Sequence, residues 1–521
     1  MVSKILFTFL CLFFFSLPEA LAHAEETSLS TAHRQALYAR IPATSIRQLL
    51  LFASLYQDTP EGNAALQKAW GLLSETPTGE KPHLPPHFEQ TATALISLIE
   101  PSALREAPIP TLDTETLHLM EHIGEHLPTR KLAGHSATTL EELEKLDPSQ
   151  IDLSRELLLM QEQPLEKIVV VEAALDLLAM DVICRIGPQA DPLTKISTLN
   201  RLLFHELGIR FPPEEESKTA QFSELSSVLF SRRGVCLGAS VLFLSLAQRI
   251  QLPLSIFTPP GHIFVAYRGD TTRVIETTAR GIDVPLDYYL GLTLKKLPER
   301  SLKEVVGMVA YNTAASLLTS KEWEKASAMY KKASRFEQGY EINQMVSLCE
   351  LLLGHTSASR QIAQNQVADL PPERLEHDLL LVDLSKGSLS REAAQTMLEC
   401  SELDDDKLPQ AISQLQQAMK ASPKSRTLPF HLAHCWLAYG KPKEAIPLLE
   451  QLASLPDATC TIHAMLAMVY DERNNRPQAW SEAKKAVLLA KQRGFVPEQL
   501  RRFIIELHQQ SPNCRDLLEI L

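Results

Sequence analysis

Arg232-Arg233-Gly234-Val235-Cys236-Leu237-Gly238-Ala239-Ser240 opens a long apolar run, and 26 residues after its cysteine His262 falls within Pro260-Gly261-His262-Ile263-Phe264-Val265-Ala266-Tyr267-Arg268. Gly234 permits a tight turn ahead of a helix. The apolar spacing predicts that helix over Val235 to Ile250, with Pro253 beyond its end. Cys236 then falls in the first helical turn, where unpaired backbone N–H groups and the helix dipole favour a thiolate. Arg232 and Arg233 add positive potential if they face the thiol. His262 heads a β-like run, where it could take the thiol proton and return it to a leaving amine. Ile263 to Arg268 and Arg273 to Thr277 are β-branched or aromatic runs around Gly269-Asp270, which predicts a hairpin. Across it, Glu276 precedes Thr277-Thr278 and could hold the second imidazole nitrogen. That requires His262 and Glu276 on one sheet face, and a one-residue slip in register would separate them. For an oxyanion, the candidate donors are the backbone N–H of Cys236 and, on position alone, Gln221.

Upstream of this stretch, Val169 to Cys184 and Leu193 to Leu207 read as amphipathic helices, with Gly208 where a helix C-cap belongs. Ser226 to Phe230 is a short helical piece, and Ser255 to Thr258 is β-like. Gly-Val-Cys opening a long helix, a His-aromatic strand and an acidic residue before Thr-Thr together resemble the transglutaminase-like superfamily, which has a papain-like fold. Leu193 to Gly208, Ser226 to Gly234 and Pro260 to Arg268 resemble its bacterial SirB-type branch. Members of that branch often carry helical repeats after the core, and often lack the Cys that this chain has. The resemblance covers about residues 150 to 295. It implies Cys236 as nucleophile, His262 as base and Glu276 in the place of the usual Asp, a longer third arm. It also implies attack on an amide or other acyl carbonyl, with no metal or organic cofactor.

Downstream, the texture is helical and periodic. Ala411, Ala445 and Ala479 are spaced by 34 residues, as are Ala433 and Ala467, and Trp436 and Tyr470. A 34-residue period of paired helices matches the tetratricopeptide pattern. Ala314, Leu317, Ala326, Tyr330 and Ala333 predict an earlier repeat over Val309 to Phe336, whereas Glu341 to Leu403 is helical but fits the period poorly. Such arrays build concave binding surfaces, so a protein or peptide partner is expected there. From Glu25 to Ile168 the chain also reads as helix, with Ser45 to Leu55 and Thr91 to Ile99 amphipathic.

Met1 to Ala22 reads as a secretory leader: Lys4, an apolar run from Ile5 to Leu17, and Ala20-Leu21-Ala22 before His23. The expected layout is therefore a signal peptide at 1–22, a helical region at 23–150, a transglutaminase-like core at 151–295 and repeats at 301–521. The fold class is mainly α with a small α+β core. The expected location is the periplasm or outside the cell, without stable membrane insertion after cleavage. Cys11 lies in the leader without a lipoprotein's small flanking residues. The other seven cysteines, Cys184, Cys236, Cys349, Cys400, Cys435, Cys460 and Cys514, are odd in number and widely spaced, unlike a disulfide framework.

The chain has 521 residues and a net charge of −12, with 22% charged residues and 6% aromatics. That balance excludes wholesale disorder and disfavours a nucleic-acid partner. His118, His122 and His126 recur every fourth residue, and His122-Ile123-Gly124-Glu125-His126 fits H-x-x-E-H. Gly124 and Pro128 weaken that helix, so the stripe reads as exposed polar surface rather than a metal site. His431, His434, Cys435, Cys460 and His463 read as core and surface residues of the repeats. Glu214 to Glu216 and Asp404 to Asp406 read as solvated loops. Two functions remain: an exported cysteine enzyme hydrolysing or transferring an acyl group, and an inactive scaffold that binds proteins or peptides.

Overall fold

The computed structural model describes residues 31–74, 85, 88–100, 109–213, 220–259, 262–284, 297, 299–337, 339–370, 378–400, 407–456, 458–492 and 496–510. The expected leader, Cys514, both acidic runs and Pro260-Gly261 lie outside these residues.

Helices α1 (Thr31–Arg40), α2 (Ile46–Leu55), α3 (Pro60–Leu73), α4 (Phe88–Ile99) and α5 (Thr114–Gly124) form an N-terminal layer. Local chemistry sets their starts: the Ser45, Thr59 and Asp113 side chains each accept a first-turn N–H, and Pro60 sits at the head of α3. After the short helix α6 (Leu140–Glu144) come α7 (Leu153–Met160) and α8 (Leu165–Ile186). Helix α8 is buried along most of its length and packs against α2, α4 and α5. It carries Glu172, Asp176 and Asp181 into the interior, and each meets an arginine. Arg155 binds Glu172 at 2.6 and 2.7 Å, Arg249 binds Asp176 at 2.6 Å, and Arg185 pairs with Asp181 at 2.5 Å.

Helices α9 (Pro192–Asn200), α10 (Leu225–Ser231) and α11 (Cys236–Arg249) follow, and α11 packs against α7, α8 and α10. Helix α9 runs into a π-helical turn over Arg201–Glu206, and Gly208 at φ +72° follows, as its C-cap reading requires. Four strands, β1 (Ser255–Phe257), β2 (Phe264–Arg268), β3 (Thr272–Ile275) and β4 (Glu299–Arg300), form an antiparallel sheet of order β3-β2-β1-β4. Ile256, Ile263, Val265 and Ile275 join the main core, while Phe257, Phe264, Ala266 and Val274 bury a second face with Leu297. Strand β4 pairs with β1 through Ile256–Arg300 and Phe257–Glu299. It was not expected, because two polar residues carry no alternation.

Strand β4 leads directly into α12 (Leu302–Thr319), whose start is closed by a reciprocal Ser301–Glu304 capping box. Helix α13 (Trp323–Ala333) packs on α12, and α14 (Tyr340–Leu352) and α15 (Thr356–Asp369) make the next hairpin. Helices α16 (Leu379–Lys386) and α17 (Arg391–Glu399) follow. Then come α18 (Leu408–Ala421), α19 (Thr427–Ala438), α20 (Pro442–Ala453), α21 (Cys460–Glu472), α22 (Arg476–Gln492) and α23 (Glu498–Gln510). The small residues that set the period, Ala411, Ala433, Ala445, Ala467 and Ala479, are all buried between helices. One apolar cluster runs unbroken from Ile46 in the N-terminal layer to Cys435 in the array.

Candidate active site

The position of Cys236 is built by close backbone approaches. Helix α10 ends with Arg232 in the left-handed region at φ 58°, and Arg210 then bridges the outgoing strand at Arg233. The Val235 N–H donates to the Phe222 carbonyl at 3.0 Å, pinning the turn against residues 220–223. A Cβ on Gly238 would meet that same carbonyl oxygen at 2.0 Å, so only glycine lets the first turn of α11 lie so close. Cys236 is the first residue of α11, half-buried, and no side chain caps the helix. Its thiol thus sits where the helix presents unpaired N–H groups.

The β2–β3 pairing decides whether the other two groups meet. Val265 faces Ile275 and Ala266 faces Val274. Continued one step, this register sets Glu276 opposite Phe264, and His262 lies two residues along on the same side. His262 Nε2 and Glu276 Oε2 are 2.7 Å apart. Cys236 and His262 line the same cavity, and the Cys236 side chain helps to raise the imidazole pKa. Burial lowers the His262 pKa, but Cys236 and Glu276 outweigh it and hold the ring at about 9.

Glu276 is almost fully buried, and its second oxygen is occupied too. Oε1 accepts the Thr278 N–H at 3.2 Å and the Thr278 hydroxyl at 2.5 Å. Burial pushes its pKa up, yet His262 and Thr278 together bring it below the usual carboxylate range. The backbone is fixed as well. Glu276 and Ile282 form a bridge, Gly281 turns at φ +73°, and the Asn200 amide of α9 donates to the Gly281 carbonyl at 2.8 Å. The Thr277 hydroxyl lies 3.4 Å from the Cys236 carbonyl and 3.1 Å from the Ser240 hydroxyl, tying the end of β3 to the start of α11. A carboxylate held on both oxygens does not need a short arm, so the longer Glu276 is kept in place by Thr278.

The family profile described as the transglutaminase-like superfamily matches residues 170–287, and a tetratricopeptide-repeat profile matches 402–458. Residues 170–287 are a transglutaminase-like domain. The search of curated proteins found no match. Among solved structures, a thermophilic TPR protein of Thermus thermophilus is similar at 18% identity, covering 39% of this chain and 98% of that one, with a TM-score of 0.21. The APC/C hetero-tetramer Cut9-Hcn1 is similar at 11% identity, covering 88% of this chain and 84% of that one, with a TM-score of 0.19. Tetratricopeptide repeats generally mediate protein–protein interaction, and a transglutaminase-like domain with repeats fits a protein-binding scaffold.

Within the transglutaminase-like domain, some expected contributors stand elsewhere. Arg232 turns away from the thiol and binds Glu100 at 2.8 Å and the Ile99 carbonyl at 3.2 Å. Its charge is spent on the N-terminal layer, and neither Arg232 nor Arg233 lines the cavity beside Cys236. Gln221 is exposed and does not line that cavity either, because the turn at 220–223 offers the Phe222 carbonyl inward instead. Asn312, from helix α12, does line it and donates to the Ser223 hydroxyl at 3.3 Å. Thr278, Asn200 and Asn312 carried no motif of their own and were missed.

Helix α5 ends at Gly124, so His126 leaves the helical stripe. His118 and His122 are mostly exposed beside Glu121 and Glu125. Cys460 and His463 pack inside the array, and His463 faces Glu482 at 2.5 Å. His135, Asp152 and Glu172 bring metal-type ligand atoms within 4.8 Å of one another. Arg130 faces His135 and Arg155 grips Glu172, so guanidinium charge already fills the place a cation would take. Cys349, Cys400, Cys435 and Cys460 are unbridged as Cys236 is, so the odd count does not single Cys236 out.

Proposed function

We propose that this protein is an exported transglutaminase-like cysteine enzyme that attacks an amide or acyl bond of a peptide or protein. The observation that carries the reading is the His262–Glu276 pair at 2.7 Å, with Cys236 and His262 lining one cavity of about 480 Å³. The Cys236 thiol gives its proton to His262, and the charged Glu276 stabilises the imidazolium that forms. The thiolate attacks the carbonyl carbon and forms a C–S bond. The Cys236 N–H, at the head of α11, faces the developing oxyanion. Collapse breaks the C–N bond, and the imidazolium protonates the departing amine. Water or a second amine then attacks the thioester, His262 takes its proton, and the C–S bond breaks to return the thiol. Water gives hydrolysis and an amine gives acyl transfer. No metal or organic cofactor enters these steps. Export rests on the leader-like residues 1–22, and the repeats present the protein or peptide partner.

p-Nitrophenyl acetate tests the nucleophile without knowledge of the natural substrate. The expected result is a burst of about one equivalent of nitrophenolate with an acetyl group on Cys236, lost in Cys236→Ala. Acetylation spread over surface lysines, with Cys236 untouched, would leave a catalytically inactive scaffold as the better reading.

A further inference from the structure

The cavity beside the thiol has two walls of different origin. Cys236, Leu237, Thr258, Pro259, His262 and Ile263 come from the transglutaminase-like core. The opposite wall comes from β4 and the helical region that follows it. It presents Met308, Tyr311 and Ile342 as apolar surface and Arg300, Glu337 and Glu341 as charge. The helices after β4 therefore complete the cavity that holds the reactive group.

The charges on that wall do not balance. Arg300 is 3.1 Å from Glu304 and 3.6 Å from Glu337, and its Nε donates to the Thr258 hydroxyl at 3.0 Å. One guanidinium thus serves both Glu304 and Glu337, and Glu341 adds a further carboxylate to the same wall. Glu337 is held in this position by the backbone. A Cβ on Gly307 would meet the Glu337 Cβ at 2.6 Å and its N at 2.9 Å, so a glycine in α12 is what lets this acid approach. Burial raises the Glu337 pKa, Arg300 opposes the rise, and Glu304 and Glu341 add to it. A second cation would oppose it further.

We infer that the substrate residue beside the attacked acyl group carries a long cationic side chain, its stem on Met308, Tyr311 and Ile342 and its charge at Glu337 and Glu341. An aliphatic stem on apolar surface with the charged end against carboxylates is how lysine and arginine bury. The inference rests on Cys236 being the nucleophile, and the cavity joins the subsite to that thiol.

Peptidyl acyloxymethyl ketones that differ only in lysine, norleucine or glutamate test it, with Cys236 labelling followed by intact mass. The lysine probe should label about tenfold faster than norleucine, and glutamate slowest. Glu341 is exposed, so Glu341→Lys should fold normally and invert the order of lysine and glutamate. Glu337→Gln should bring lysine down to the norleucine rate. Equal rates for lysine and norleucine, or an unchanged order in Glu341→Lys, would overturn the subsite. So would failure of every peptidyl probe while iodoacetamide labels Cys236 as a thiolate, and the nucleophile would then survive. Iodoacetamide labelling at the rate of an ordinary thiol would instead remove the nucleophile itself.

Discussion

At the scale of single residues, the site depends on which group holds which atom. Glu276 can replace a shorter acid because Thr278 occupies the oxygen that His262 does not. In Glu276→Gln the charged partner is lost, and the His262 pKa should fall from about 9 toward the 6.5 of a free imidazole. NMR titration of the ring measures this directly, and an unchanged midpoint would contradict the assignment. Thr278→Ala should give part of the shift, and Thr278→Ser should restore it. The same displacement carries a sign for stability. A histidine whose folded pKa is raised stabilises the fold fully below about pH 6.5, and that contribution is lost as pH rises through about 9. Cys236, His262 and Glu276 were legible because their residue types carry chemistry at recognisable spacing. Thr278 was visible only as the second Thr of a pair, since no spacing rule says that a hydroxyl will grip a carboxylate two residues back.

At the scale of elements, glycines and register do what the motif alone cannot. The reading of Gly234 as a turn residue anticipated the start of α11. The need for Gly238 is a tertiary fact, because the carbonyl it avoids comes from Phe222. Gly238→Ala forces that contact apart and should destabilise the fold by about 2–3 kcal/mol in denaturant unfolding. A loss below about 0.5 kcal/mol would mean that the turn at 220–223 moves freely. The hairpin was readable from its β-branched runs, but its register was open. It is fixed by burial on both faces, with Val265 and Ile275 in one core and Ala266 and Val274 in the other. The 34-residue period located the later repeats through buried alanines. Helices α14 to α17 were read as helix without a period, because their packing uses different small and apolar residues.

At the scale of the whole molecule, one apolar core joins the transglutaminase-like domain to the helices that follow it, and α12 and α14 line the cavity at Cys236. Near that junction Glu156 is fully buried with neither carboxylate oxygen hydrogen-bonded, and burial pushes its pKa up to about 8. Lys303, from α12, opposes the rise. The folded protein thus holds this proton where the unfolded chain releases it, and stability falls as pH rises from about 4.5 to about 8. Glu156→Gln should gain on the order of 1–3 kcal/mol over wild type at pH 8 and little at pH 4.5. Parallel pH dependence in the two proteins would contradict it. Such interior charges were illegible beforehand. Arg249 and Asp176 sit in helices where a lone charge ordinarily marks the solvent face, and only the packing of α8 against α11 brings them 2.6 Å apart.

The central claim is that His262 keeps the Cys236 thiol ready to react. The most direct measurement is the rate of Cys236 alkylation by iodoacetamide against pH, in wild type and in His262→Ala. A base at His262 predicts that wild type alkylates about tenfold faster than His262→Ala at pH 7, with the gap closing as pH rises. Superimposable profiles climbing together would contradict the account.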